Sequence, residues 1–195
     1  MRMSLRFPTA VVLSIVCLAV PARADYKAGE DAFNRGDFAT ALRKWRPLAE
    51  QGDALAQYNL GVLYRKGRGV PQDDVQARQW YEKAAAQGQA KAQYNLGTLY
   101  LNGGGVPKDY QQALRWFRMA ADQGEALAQT KIGIMYDDGQ GVPHDFVQAH
   151  KWYNLAATNG DKPAAELRDA LAKQMTPAQI AEAQQLAREW KPKGK

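Results

Sequence analysis

The sequence predicts an all-α solenoid, a stack of antiparallel helix pairs, and three observations carry that prediction. The first is a period. Gly52, Gly88, Gly124 and Gly160 fall 36 residues apart, and Gly61/Gly97/Gly133, Tyr64/Tyr100/Tyr136 and Trp80/Trp116/Trp152 recur at the same offset. A repeat of this length marks stacked supersecondary units, none of which buries its apolar face alone. The second is helical spacing. At about 100° per residue, Ala56, Leu60, Leu63 and Tyr64 share one face, as do Ala77, Trp80, Tyr81, Ala84 and Ala85. The third is that no stretch alternates with the period of a strand.

Residues 1–24 have the layout of a secretory signal peptide. Arg2 and Arg6 precede an apolar run over residues 10–20, and Ala22-Arg23-Ala24 offers a cleavage site before Asp25. The run is too short to span a membrane, so no membrane insertion is expected after cleavage. Cys17, the only cysteine, lacks the small residues that precede a lipidation site, and it would leave with this segment. The mature chain would then depend on packing rather than on disulfides. Cleavage also removes Arg2, Arg6 and Arg23 from the 26 basic residues, leaving 23 against 20 acidic ones. So even a balance excludes the basic stripe of a nucleic-acid binder.

Residues 25–52 read as an N-terminal capping helix pair, with helices over 26–35 and 38–51 joined at Gly36-Asp37. Trp45, Leu48 and Ala49 mark the second of these, and Pro47 should bend it. Three full repeats follow at 53–88, 89–124 and 125–160, with helices near 54–66 and 74–87 in the first. Gly61, Gly97 and Gly133 sit inside the first helices, where glycine costs about 1 kcal/mol relative to alanine. Their recurrence points to a close helix contact, which the pairs Ala84-Ala85, Ala120-Ala121 and Ala156-Ala157 would suit.

The connectors Gly67-Arg68-Gly69-Val70-Pro71, Gly103-Gly104-Gly105-Val106-Pro107 and Gly139-Gln140-Gly141-Val142-Pro143 read as punctuation. The first Gly ends a helix, the second permits the turn, Val fills the gap and Pro prevents continuation. With no strand before them and no third Gly, they are not phosphate loops. Asp73, Asp109 and Asp145 are expected N-caps, and Gln76, Gln112 and Gln148 stand where capping boxes would place them. Residues 161–190 read as a C-terminal capping helix pair, over 163–174 and from the Thr176-Pro177-Ala178-Gln179 capping box to Trp190. Ile180, Ala183, Ala187 and Trp190 form the buried stripe of its last helix. Residues 191–195 form a basic, solvated tail.

The pattern Ala56, Leu60-Gly61, Tyr64, Gly67, Gly69-Val70, Asp73, Ala77, Trp80, Ala84-Ala85, Gly88 resembles the Sel1-like repeat family, relatives of the tetratricopeptide solenoids. The second copy keeps every landmark, and the third replaces only Leu by Ile132. The resemblance implies a right-handed α/α superhelix and an exported bacterial adaptor, placed in the periplasm, that holds proteins together without catalysis. It also implies an alternative, a peptidoglycan- or β-lactam-interacting protein. The cysteine-rich secreted members credited with that activity carry a disulfide in each repeat, and this chain does not.

Beyond Asp25 the chain has no Ser and no Cys, which removes the commonest covalent nucleophiles. Its five Thr residues, Thr40, Thr98, Thr130, Thr158 and Thr176, are not near a His in sequence. His144 and His150 are six residues apart, about 120° on a helix, not the i, i+4 spacing of a metal pair. Gln72 and Lys108, and Arg78 and Leu114, hold their places in the other copies, so both histidines read as variable surface positions. Asp137-Asp138 with Asp145 offers too few oxygens at fixed spacing for calcium. No catalytic residue, metal or cofactor is expected.

A binding surface is expected on the far side of each first helix, where the copies diverge. The row comprises Leu55, Tyr58, Val62 and Arg65, then Lys91, Tyr94, Thr98 and Leu101, then Leu127, Thr130, Ile134 and Asp137. In tetratricopeptide-like solenoids this row lines the concave face. It would be aromatic and basic at one end and acidic at the other, suited to an extended peptide or a helix of a protein partner. The competing reading has Tyr58 and Tyr94 filling space between neighbouring first helices.

Overall fold

A computed structural model describes residues 19–192, with side chains from residue 23. Residues 1–18, which carry most of the expected signal peptide, and the last three residues of the basic tail lie outside the described residues. Ten helices follow in order: α1 (Ala19–Asn34), α2 (Phe38–Glu50), α3 (Ala54–Lys66), α4 (Asp74–Ala86), α5 (Ala90–Asn102), α6 (Tyr110–Ala121), α7 (Ala126–Asp137), α8 (Phe146–Thr158), α9 (Lys162–Ala172) and α10 (Pro177–Glu189). The expected cleavage point after Ala24 falls inside α1. Pro47 lies within α2, which nevertheless continues to Glu50. No helix among the described residues is long and apolar enough to cross a membrane.

Each helix packs on the next in chain order from α1 to α9, so the chain is an all-α repeat solenoid. The end departs from the expected pair. Both α9 and α10 pack on α8, and they meet over it where Leu171, Met175 and Ala183 join Ala149 and Tyr153 in one buried cluster. The stripe of α10 supplies the reason: Ala183 reaches that cluster, while Ala187 and Trp190 reach the cluster around Ala113, Phe117 and Trp152.

The close contact anticipated at the mid-helix glycines is with an aromatic ring. A Cβ on Gly61 would stand 2.5 Å from the ring of Tyr81, on Gly97 2.6 Å from Phe117, and on Gly133 2.5 Å from Tyr153. The Ala pairs lie one turn further along the same helices and are buried as well, except that Ala157 remains partly exposed. The capping pair makes the same contact, since a Cβ on Gly29 would run into the indole of Trp45. Gly and ring are 20 positions apart in the repeats (61 to 81) but 16 in the cap (29 to 45). The cap's shorter connector hides the equivalence from a search at fixed offset.

Asp73, Asp109 and Asp145 accept hydrogen bonds from the backbone N–H of Gln76, Gln112 and Gln148 at 2.9, 3.0 and 3.0 Å. The glutamine side chains do not complete capping boxes. Each Asp N–H is already committed to the carbonyl of Tyr64, Tyr100 or Tyr136 across the connector, so no free donor remains for them to receive. Among the described residues the reciprocal box forms only at Thr176 and Gln179.

Units are joined by contacts that the sequence did not announce. The second connector glycine packs on the start of the preceding unit's second helix: a Cβ on Gly105 would stand 2.7 Å from the backbone of Asp74. Gln57, Gln93 and Gln129, fixed across the copies and buried, form amide relays. Gln93 Nε2 donates to Ala85 O at 3.2 Å, while its Oε1 accepts from Gln123 Nε2 at 2.8 Å. Gln57 repeats this with Ala49 and Gln87, and Gln129 with Ala121 and Asn159. Trp80 and Trp116 pack against clusters shared between the preceding unit and the first helix of their own.

His150 corrects an expectation. It is 2% exposed, its Nδ1 is buried without a hydrogen-bond partner, and α9 brings Arg168 and Asp169 near it. Leu114 at the equivalent place is buried too, so the position faces the next unit rather than solvent. His144 is exposed, as expected.

Candidate interaction surface

The first helices α1, α3 and α5 bring one side of the expected row together in two adjoining hollows. Tyr58, Val62, Arg65, Tyr94 and Thr98 line one of about 430 Å³, with Tyr81 among its walls. Leu55, Tyr58 and Lys91 line the other, of about 420 Å³, together with Tyr26, Glu30 and Glu125. Tyr58 is common to both.

Each tyrosine of this row is half-buried and leans on the ring that covers the glycine of its own pair. Tyr58 lies 6.1 Å from Tyr81, Tyr94 5.8 Å from Phe117 and Tyr26 6.1 Å from Trp45, between ring centroids. The same rings line the hollows, Tyr58 both of them, Tyr94 the first and Tyr26 the second. The space-filling reading and the binding reading therefore describe two sides of the same rings. Asn59 Nδ2 donates to Tyr26 Oη at 3.0 Å, and Arg65 Nη1 donates to Asn95 Oδ1 at 3.2 Å, so polar groups tie each first helix to the next. Burial pushes the Tyr58 hydroxyl pKa up, with Glu125 adding to the shift and a hydrogen bond to Asn95 opposing it. The Tyr58 hydroxyl therefore remains a protonated donor at neutral pH.

The third-copy residues do not continue the hollows. Thr130 is 8% exposed, and its single hydroxyl proton is shared between Ala126 O, at 3.2 Å, and the Asp161 carboxylate. That second bond diverts Asp161 from capping α9, which has no side-chain cap. Ile134 packs on the α8–α10 cluster, and Leu101 on the cluster around Phe117. Asp137 accepts from Tyr153 Oη at 3.2 Å, which binds the expected acidic end into the fold. Leu127 is exposed but stands apart from both hollows. The acidic groups that do line the surface are Glu30 and Glu125, beside Lys91, so charge there is mixed rather than graded along the row.

Sequence reasoning missed Tyr26, Glu30, Asn95 and Glu125. Tyr26 precedes Gly29 by three residues, as Tyr58 precedes Gly61, and that local spacing was the available signal. Asn59 and Asn95 recur 36 apart and were readable as a pair. Glu125 holds the N-cap place of its first helix, as Asp53, Gln89 and Asp161 do in theirs, and Glu30 follows Gly29 as Val62 follows Gly61, but the charge at these two places is not repeated. Among the described residues no group of three His, Cys, Asp or Glu side chains is placed to hold a metal ion.

A model described as Sel1 repeat matches residues 54–89, 90–125 and 126–161. Among solved structures, a Sel1 repeat protein from Oxalobacter formigenes is 36% identical with a TM-score of 0.70, over 75% of this chain and 60% of that one. A protective antigen present in uropathogenic Escherichia coli strains, displaying an SLR fold, is 32% identical with a TM-score of 0.60, over 86% of this chain and 45% of that one. The chain thus spans less than two thirds of either. The cysteine rich protein B of Helicobacter pylori, 23% identical with a TM-score of 0.55 over 66% of this chain and 96% of that one, shares the fold. No curated protein matches the chain.

Proposed function

The chain belongs to the Sel1 repeat family, and we propose that it is an exported, non-catalytic scaffold of the bacterial cell envelope that holds a protein partner on its first-helix face. Sel1 repeats commonly mediate protein–protein interactions. The observation that carries the reading is the row Tyr26, Tyr58 and Tyr94, whose rings each rest on a buried aromatic ring and line two adjoining hollows. Rigid aromatic edges supply contact area at low entropic cost, and flanking amides and charges supply direction. An extended segment of a partner fits such a surface better than a compact small molecule, since the hollows run side by side across successive units. Export is supported by the layout of residues 1–24, and the periplasm as destination rests on the family resemblance alone. The absence of Ser and Cys beyond Asp25 supports a role without covalent catalysis.

Crosslinked affinity capture from the envelope tests this. Because Tyr58 and Tyr94 also brace the core, the cleaner variant is Leu55→Glu with Lys91→Glu, two exposed positions at the rim. Loss of a captured protein with unchanged helicity supports the scaffold. Equal capture by both forms, or retention on purified sacculi or labelled penicillin that the variant abolishes, overturns it.

A further inference from the structure

A second concavity, of about 340 Å³, lies at the junction of the last repeat with the end of α10 and shares no residue with the tyrosine row. Arg118 and Asp122 reach it from the end of α6, Lys151 and Trp152 from α8, and Trp190 and Lys191 from the end of α10. Three of these side chains are cations and one is an acid. Among the described residues, none of the three cations has a carboxylate within ion-pair distance. Arg118 Nη2 donates only to Tyr136 Oη, at 3.0 Å, and the Lys151 ammonium stands 5.1 Å from the centre of the Trp152 ring. Trp190 meets Trp152 edge to face, with centroids 5.9 Å apart.

The arrangement is peculiar to this junction. One period earlier, Glu82 holds the place of Arg118 and Arg115 that of Lys151. Two periods earlier, the places are held by Arg46 and Gln79. Only here do both positions carry a cation, and Trp190 adds a second indole from beyond the repeats. Burial and the neighbouring Arg118 both hold the Lys151 ammonium below its ordinary lysine pKa. Two cations forced together beside apolar walls leave an electrostatic cost that an incoming anion relieves.

We propose that this junction binds an acidic peptide segment of a protein partner. A Glu or Asp carboxylate docks between Arg118 and Lys151, and the carbon stem of the acidic side chain lies against Trp190. Arg118 offers the planar fork that pairs with a carboxylate through two N–H bonds, and Lys151 adds a point charge. The indole walls favour a carboxylate on a hydrocarbon stem over a bare inorganic anion, and Asp122 at the rim disfavours a dianion. The site is independent of the tyrosine row, so either can fail alone.

Fluorescence anisotropy of a labelled hexaglutamate peptide, titrated with the full chain at low salt, tests the proposal. Saturable binding is expected, weakened at least about tenfold by Arg118→Gln with Lys151→Gln, which removes two charge-assisted bonds. Lys191→Gln provides a second variant at an exposed position and should weaken it less. Arg35→Gln with Arg43→Gln removes the same charge from exposed positions that line none of these hollows and should leave binding unchanged. No saturable binding overturns the proposal, as does equal loss in the charge-matched variant, which would mean diffuse attraction. Inorganic phosphate competing better than unlabelled hexaglutamate at equal charge also overturns it.

Discussion

The ring of Tyr81 lies so close over Gly61 that a single added methyl carbon would stand 2.5 Å from its Cδ1 and Cε1. The two residues belong to the two helices of one pair, and their contact sets the distance between them. It recurs at Gly97–Phe117, Gly133–Tyr153 and Gly29–Trp45, and in every pair but that of Gly133 a tyrosine that lines a hollow rests on the same ring. A packing device and a candidate binding surface are thus two faces of one aromatic stack.

Helix propensity alone favours Gly97→Ala by about 1 kcal/mol. The structure predicts the opposite sign. A methyl 2.6 Å from Phe117 must displace a fully buried ring, and overpacking of this kind costs about 1–3 kcal/mol. Urea denaturation of the variant decides between them, and a midpoint at or above that of the parent sinks the account. Gly29→Ala should behave alike, although no fixed period relates it to the others.

The two connector glycines should differ. Both have positive φ, 76° at Gly103 and 67° at Gly105, so alanine carries a left-handed penalty of about 1–2 kcal/mol at either. A Cβ at Gly103 meets ordinary contacts at 3.6 Å, whereas at Gly105 it meets the Asp74 backbone at 2.7 Å. Gly105→Ala should therefore cost clearly more than Gly103→Ala and loosen the joint between units. Hydrogen exchange at α4 and α6 would report that loosening locally, and equal losses at the two sites would contradict it.

Gln93→Leu removes two hydrogen bonds from a residue that is 2% exposed, at about 0.5–1.5 kcal/mol each. Gln93→Glu should be worse near neutral pH, since it turns a carboxylate oxygen toward the Ala85 carbonyl in a buried place. Denaturation midpoints give the ranking. A glutamate variant as stable as the parent would show that the relay contributes little.

His150 supplies a pH dependence with a definite sign. Burial first, and then the Arg168 guanidinium, hold its pKa below the ordinary 6.5, against a smaller opposing pull from Asp169. The unfolded chain therefore takes up the proton first. The stability tied to this site is full above the unfolded value and is lost as pH falls from about 6.5 through the folded pKa. His150→Leu, the residue found at Leu114, should flatten that decline, whereas His144→Gln at an exposed position should not. A parent whose melting temperature does not fall across this window would refute the assignment.

The sequence by itself determined the helices, the caps and the repeat. These depend on residues close together in the chain, and a 36-residue period writes each of them three times. That is why the bounds of α3, the Asp caps and the mid-helix glycines could be read directly. It also determined that the first helices carry the variable row, but not which of its members would face a groove. Thr130 and Asp137 are claimed by Asp161 and Tyr153, and such claims depend on a neighbour 31 and 16 residues away. Only the tertiary structure decided that Tyr26 and Glu125 join the surface, that His150 is covered by α9, and that Trp190 closes a cationic hollow with Arg118 and Lys151. Periodicity fixes what each unit does to the next one, whereas the ends and the curvature of the stack bring together residues that no period relates.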